Sequence, residues 1–225
     1  FIGSPGPYPI AVFASGGYAV LRCNIRGSSG YGREFRRANF NDWGGKDYQD
    51  LISGIEHFIG SGLADPERLG VMGWSYGGFM TSWIITQTTR FKAASIGAPV
   101  TNLISFTGTT DIRSFIPGYF GGEFWDMPEA YREHSPMFKV KGVTTPSLIQ
   151  QGENDVRVPF SQGMELYTAL KRQGVEVRMV AYPREGHGLQ EPKHILDAAT
   201  RNVDWFRSHI PCRRVKDMFR LLKSM

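Results

Sequence analysis

Apolar positions along the chain fall into two alternating rhythms. Short apolar runs of strand length occupy residues 18–23, 69–74, 91–96, 146–150 and 175–182, the last alternating through Val175, Val177, Met179 and Ala181. Between them the spacing is helical. Residues 10–14 predict a helix ending at Gly16-Gly17, and residues 47–59 place Leu51, Ile55, Phe58 and Ile59 on one face before Ser61-Gly62 stops it. Further helices are predicted over residues 79–85, over 160–173 with Gly174 as terminator, and over 192–209. Residues 24–32 form a glycine-rich loop, and residues 65–68 a turn. Residues 101–145 read as irregular and aromatic-rich, with Phe106, Phe115, Tyr119, Phe120, Phe124, Trp125 and Tyr131. Strands that alternate with helices imply an α/β fold, with a mostly parallel sheet covered on both faces.

Composition narrows the class. The 225 residues, 41% hydrophobic and 21% charged, suit one globular domain with a full core. No apolar run reaches the roughly 20 residues that span a bilayer, so stable membrane insertion is not expected. The start, Phe1-Ile2-Gly3-Ser4-Pro5, has neither a signal pattern nor a leading Met, as in a fragment. The net charge is +5, but Arg213, Arg214, Lys216, Arg220 and Lys223 against Asp217 give residues 211–225 +4 of it. Residues 1–210 are thus nearly neutral, which argues against nucleic-acid binding. In residues 211–225, Val215, Met218, Phe219 and Leu222 stand at helical spacing, so residues 1–210 read as the domain and 211–225 as a basic amphipathic extension. The extension reads either as a solvated tail or as a helix for a membrane surface or partner. Two cysteines, Cys23 and Cys212, make no disulfide framework and fit a reducing, cytoplasmic setting.

The chemistry is carried by Gly73-Trp74-Ser75-Tyr76-Gly77, a G-x-S-x-G element between an apolar strand and a helix. With 27 glycines in the chain, such a match arises by chance roughly 0.2 times, so its partners decide its meaning. A serine hydroxyl needs a base to take its proton, and the base needs an acid to hold its tautomer. In a parallel sheet these groups converge from loops at the carboxyl ends of strands. Asp155 follows one such strand and His187 follows the last, in the order serine, acid, histidine. Glu153 is the second candidate acid. His57, His134, His194 and His209 read as surface or helix-face residues. The backbone N–H of Tyr76, next after the serine, is the expected oxyanion donor. Nothing in the pattern implies a metal or cofactor.

Four ordered motifs resemble the prolyl oligopeptidase family of serine peptidases. They are residues 24–32 (NIRGSSGYG), 73–80 (GWSYGGFM), 152–159 (GENDVRVP) and 185–187 (EGH). The bacterial acylaminoacyl peptidase and dipeptidyl aminopeptidase branch is the nearest, over residues 8–210. The resemblance implies an α/β-hydrolase fold, with Ser75 as nucleophile, Asp155 as acid and His187 as base. It implies that Arg157 binds a substrate backbone carbonyl; the alternative is a surface salt bridge. It places Val100, Leu103, Phe106, Tyr76 and Val158 on a specificity pocket, with ordinary core packing as the alternative.

The chain departs from the family pattern in one region. The His-Gly-Gly-Pro loop that supplies the second oxyanion donor, the first strands of the sheet and the N-terminal propeller have no counterpart in this sequence. Omitting the strand before that loop leaves a gap between residues 19–23 and 69–74, with unpaired backbone on both sides. The expected function is therefore hydrolysis of short peptides through an acyl-enzyme. A carboxylesterase and a catalytically inactive interaction module are the alternatives.

Overall fold

Four strands, β1 (Leu69–Trp74), β2 (Phe91–Gly97), β3 (Ser147–Gly152) and β4 (Val177–Tyr182), pair in parallel and in sequence order in the computed structural model, which describes residues 7–211. Helices α1 (Ile10–Ser15), α2 (Gly32–Arg37) and α3 (Lys46–Gly60) precede the sheet. Helix α4 (Tyr76–Gln87) joins β1 to β2. Between β2 and β3 lie α5 (Leu103–Thr109), α6 (Phe115–Phe120), α7 (Pro128–Glu133) and a 3-10 turn (Pro136–Lys139). Helix α8 (Phe160–Arg172) joins β3 to β4, and α9 (Pro192–His209) follows.

Alternate residues of the strands bury opposite faces, as the pleat requires. Ala94, Ile96, Ile149 and Val177 pack with Ile85 of α4 and with Leu166 and Leu170 of α8. Ala93 and Leu148 point the other way, to Phe13 of α1 and to Val203 and Phe206 of α9. On that second face Ser95 Oγ and Gln150 Nε2 both donate to Asn202 of α9, so a polar cluster sits among the apolar contacts. Helix α4 is buried from Gly78 to Ile85, so its apolar residues are not confined to one stripe. A larger cluster beyond the sheet joins Trp43, Phe79, Trp83, Phe106, Phe120 and Tyr131. The helices expected over residues 10–14, 47–59, 79–85, 160–173 and 192–209 all form, within a few residues of the expected ends.

Two expectations are corrected. Residues 18–23 form no strand. Tyr18 and Val20 still face the core, against the cluster that holds Phe13 and Phe206, and Tyr18 Oη donates to the Ile210 carbonyl at 2.8 Å. The alternating pattern is therefore real, but a strand also needs a ladder, and β1 lies at the sheet edge with no neighbour on that side among the described residues. Consistently, Val71 to Trp74 of β1 are only half-buried, while every residue of β3 is buried. Residues 101–145 are not irregular but carry three short helices and a 3-10 turn. Their signals are local: Asn102 caps α5 by accepting from Ile104 and Ser105 N–H, and Pro128 and Pro136 open α7 and the 3-10 turn at the position where proline is tolerated. A smaller difference concerns β4, which starts at Val177, and where Ala181 is exposed and Tyr182 buried. The extension expected over residues 211–225 lies outside the described residues from 212 onward.

The approach of α4 to β2 is closest at Gly78, where a Cβ would lie 2.2 Å from the Gly97 carbonyl oxygen and 2.9 Å from Pro99 Cα. Glycine to alanine inside a helix ordinarily gains about 1 kcal/mol of propensity. Here the overlap is with backbone, which cannot rotate aside, so strain should win. Gly78→Ala should lose about 1–3 kcal/mol of stability, read as a lower urea midpoint. An unchanged or higher midpoint would contradict the close packing.

Candidate active site

The turn between β1 and α4 holds Ser75 at φ 62° and ψ −118°, a left-handed backbone that a residue with a side chain adopts only under constraint. The constraint comes from its flanks. A Cβ on Gly73 would lie 2.4 Å from the Gly77 carbonyl oxygen, so strand end and helix start touch through backbone alone. Ser75 N–H donates to the Gly97 carbonyl at 2.9 Å, and the Ser75 carbonyl accepts from Phe79 N–H at 2.9 Å. These contacts leave the side chain projecting above the sheet edge. Of the glycines here, Gly73 and Gly78 are demanded by packing, whereas a Cβ on Gly77 meets nothing within 4 Å.

The loops after β3 and β4 bring two more side chains to that point. His187 Nε2 lies 2.8 Å from Ser75 Oγ, and His187 Nδ1 lies 2.9 Å from Asp155 Oδ2. A carboxylate only accepts, so Nδ1 carries the imidazole proton and Nε2 turns its lone pair to the serine hydroxyl. The other carboxylate oxygen, Asp155 Oδ1, accepts from Arg157 N–H at 3.0 Å and Val158 N–H at 2.9 Å, and the side chain is wholly buried. Glu153 is exposed and is not joined to His187 by a hydrogen bond.

The acid and histidine loops are stitched to each other. Asn154 N–H donates to the Glu185 carbonyl at 2.9 Å, and Trp74 Nε1 donates to the His187 carbonyl at 2.8 Å. A Cβ on Gly152 would sit 2.4 Å from the Glu185 and Gly186 oxygens, so only glycine lets the end of β3 pass under the histidine loop. Glu185 closes that loop. Its buried carboxylate accepts from Gln190 N–H and Glu191 N–H, both at 2.8 Å, and takes a third bond from His194 Nδ1 at 2.9 Å. Burial pushes the Glu185 carboxyl up, but the two backbone donors and His194 outweigh it, and the net shift is below the usual glutamate range. This clamp was not singled out in the sequence, where His194 reads as a helix-face residue. The glutamate two places before His187 was its one visible sign.

A pocket of about 190 Å³ opens beside Ser75, bounded by Trp43, Tyr76, Val100, Phe106, Arg157 and Val158. Val100, Phe106 and Val158 belong at once to the core cluster and to the pocket wall. Leu103 does not line it; that side chain is fully buried in the core. Trp43, Ile112 and Phe115 do line it and were not expected from the sequence. Trp43 is fixed by an edge contact with Tyr76 at 4.8 Å and by His134 Nδ1, 2.6 Å from its carbonyl oxygen. The Tyr76 hydroxyl donates to Asp47 and accepts from Asn39 Nδ2 at 3.3 Å. Burial, then the nearby Asp47 charge, raises the Tyr76 phenol, and burial likewise raises the Asp47 carboxyl. The guanidinium of Arg157, at the pocket rim, is held by Asp111 through Nε at 2.6 Å and Nη2 at 3.2 Å. That fork lowers the Asp111 carboxyl. A salt bridge and a pocket position thus coexist at Arg157.

Among the described residues, Glu185, Glu191 and His194 bring potential metal-ligand atoms within 4.8 Å of one another. Those atoms are already committed: Glu185 to the clamp, and Glu191 to Arg184 at 2.9 and 2.8 Å. A guanidinium beside the group also opposes a cation. No described helix is long and apolar enough to cross a membrane.

A model of the prolyl oligopeptidase family matches residues 8–211. The uncharacterized peptidase YuxL of Bacillus subtilis (strain 168) is 41% identical over 204 residues, covering 88% of this chain and 31% of its own length. The acylamino-acid-releasing enzyme of Arabidopsis thaliana is 34% identical over 209 residues, covering 89% of this chain and 27% of the relative. A solved acylaminoacyl peptidase in complex with Z-Gly-Gly-Phe-chloromethyl ketone superposes with a TM-score of 0.80 at 31% identity, over 85% of this chain and 32% of that one. The chain thus spans about a third of the length of the proteins it matches, and the fold they share with it is the α/β-hydrolase fold of these peptidases.

The Glu185 clamp has a pH signature. Because its folded carboxyl is depressed, its contribution is present above the unfolded glutamate pKa of about 4.3 and is lost as pH falls through the lower folded value. Glu185→Gln should lower stability near neutral pH by about 1–3 kcal/mol and flatten the loss below about pH 4.5, in urea titrations run from pH 7 to 3. Parallel profiles for parent and variant would contradict the clamp.

Proposed function

This chain belongs to the prolyl oligopeptidase family, and we propose that it carries the nucleophile, base and acid of an acylaminoacyl-peptidase-like serine peptidase, acting on short peptides through an acyl-enzyme. The observation that carries this reading is the unbroken line from Ser75 Oγ through the two nitrogens of His187 to the buried Asp155. As Ser75 Oγ forms a bond to the substrate carbonyl carbon, its proton passes to His187 Nε2. Asp155 holds the imidazole in the required tautomer and stabilises the imidazolium. The charge growing on the carbonyl oxygen meets the Tyr76 N–H, which opens α4 and so has no acceptor within the helix. Collapse of the tetrahedral species breaks the C–N bond, and His187 returns its proton to the leaving amine. A water molecule then attacks the acyl carbon, giving its proton to His187, and the second collapse breaks the acyl–Oγ bond as His187 returns that proton to Ser75 Oγ.

In this reading Arg157 donates to a substrate backbone carbonyl, a role supported by its position on the pocket lining. Asp111 keeps its fork in one orientation, which reduces the side-chain freedom lost on binding. The pocket beside Ser75 has room for one side chain, and walls of Trp43, Val100, Phe106 and Val158 favour an apolar or aromatic one next to the cleaved bond. The peptidyl chloromethyl ketone held by the similar acylaminoacyl peptidase supports a peptide as the substrate class.

The whole protein should be labelled by a fluorophosphonate, and Ser75→Ala should abolish labelling and lower peptide turnover roughly 10⁴–10⁶-fold. Labelling that survives Ser75→Ala would remove the serine from this role. Arg157→Ala should cut kcat/KM about tenfold or more while leaving labelling by the small phosphonate nearly unchanged, since that probe has no peptide carbonyl to anchor. Equal losses with both would show instead that the substitution disturbs the Asp155 loop.

A further inference from the structure

Beside the serine pocket runs a second, larger depression of about 860 Å³, within the roughly 300–1,000 Å³ range of ligand sites. Its walls differ in kind from those of the first. Arg33, Arg36 and Arg37 line it together with Phe40, Phe115 and Tyr119. The arginines occupy positions i, i+3 and i+4 of α2, which places them on one helix face. The one acidic residue of that helix, Glu34, is not on the groove, and no acidic side chain lines it. All three arginines are exposed, and among the described residues none of them forms an ion pair. Arg37 lies over the Phe40 ring, 5.1 Å from its centroid. This cluster stands out because residues 1–210 are nearly neutral as a whole.

The groove adjoins the active-site pocket. Phe115 lines both. A chain of ring contacts runs between them, with Phe40 on Tyr119 at 4.6 Å, Tyr119 on Phe115 at 5.0 Å, and Tyr119 on Trp43 at 5.1 Å. Trp43 in turn packs on Tyr76, the residue after Ser75. A peptide seated with one side chain in the Ser75 pocket therefore lies one residue, Phe115, from the groove that holds the three guanidinium groups. Guanidinium groups grip carboxylates as a planar fork, and the rings would carry the intervening apolar surface.

We propose that this groove is a remote substrate subsite that selects peptides bearing carboxylates at a distance from the cleaved bond. The proposal rests on the peptidase reading for its occupant, but not for its measurement. Binding is read on the whole protein carrying Ser75→Ala, by fluorescence anisotropy. The probes are labelled peptides with one phenylalanine for the pocket and an aspartate pair on either its N-terminal or its C-terminal side. Matched peptides carry asparagine instead, and a further pair has an amidated C-terminus, which separates side-chain carboxylates from the terminal one.

At low salt one aspartate peptide should bind about 5–10-fold more tightly than its asparagine counterpart, as expected for a few exposed ion pairs, and high salt should shrink the difference. Arg33→Gln/Arg36→Gln/Arg37→Gln should bring that ratio to near one. The single change Arg36→Glu, milder for folding, should lower it and improve binding of a lysine-bearing peptide. Equal affinities for aspartate and asparagine peptides in the arginine-bearing protein would overturn the proposal. So would a ratio that survives the arginine substitutions. Failure of the hydrolase reading is seen separately, as absent fluorophosphonate labelling of Ser75, and leaves the anisotropy ratio intact.

Discussion

The structure depends on one close approach of backbone to backbone. The end of β1 meets the start of α4 at Gly73 and Gly77, and α4 meets the end of β2 at Gly78 and Gly97, with no side-chain atoms between. Those contacts force the left-handed turn at Ser75 and aim its hydroxyl above the carboxyl edge of the sheet. The cost of that conformation, on the order of 1–3 kcal/mol, is offset by the eight buried positions of α4 that anchor the helix behind it. A serine on an ordinary turn would be free to relax, and its hydroxyl would not stay within reach of His187.

The other half of the site is held by a different device. His187 sits on a loop after the last strand, and glycines on both sides give its backbone little stiffness of its own. Order is imposed from outside. Trp74, from β1, holds the His187 carbonyl; Asn154, from the acid loop, holds the Glu185 carbonyl; and the Glu185 carboxylate ties residues 190, 191 and 194 together. Strand β1, the acid loop and α9 thus all bear on one imidazole. Such outer support decides whether the hydrogen bonds of His187 are held within a fraction of an ångström. A similar division appears at the pocket, where Gln162 of α8 accepts from Thr101 and Asn102 N–H at 2.9 and 3.0 Å and so fixes the wall that carries Val100 and Phe106.

Much of this was legible in the sequence, because it is written in local signals. The strand–serine–helix context, the order Ser75, Asp155, His187, and the four family motifs point to one chemistry from residue type and order alone. The apolar periodicity locates the long helices and the four paired strands for the same reason: burial on a fixed period leaves a one-dimensional trace. The short helices of residues 101–145 were missed because aromatic density masked their caps, although Asn102, Pro128 and Pro136 mark their starts.

Other features could be decided only in three dimensions. Residues 18–23 carry a strand's side-chain pattern, yet a strand exists only where a neighbour completes its ladder, and no local pattern reports a neighbour. Leu103 and Val100 look alike in sequence, but the first is sealed in the core while the second faces the pocket. Trp43, far from Ser75 along the chain, reaches the pocket because α4 and α6 pack around it. The sequence by itself determined which chemistry the residues can perform, since that follows from residue type and chain order. Tertiary structure decided which side chains surround it, because contact between residues distant in the chain depends on packing, which no local pattern encodes.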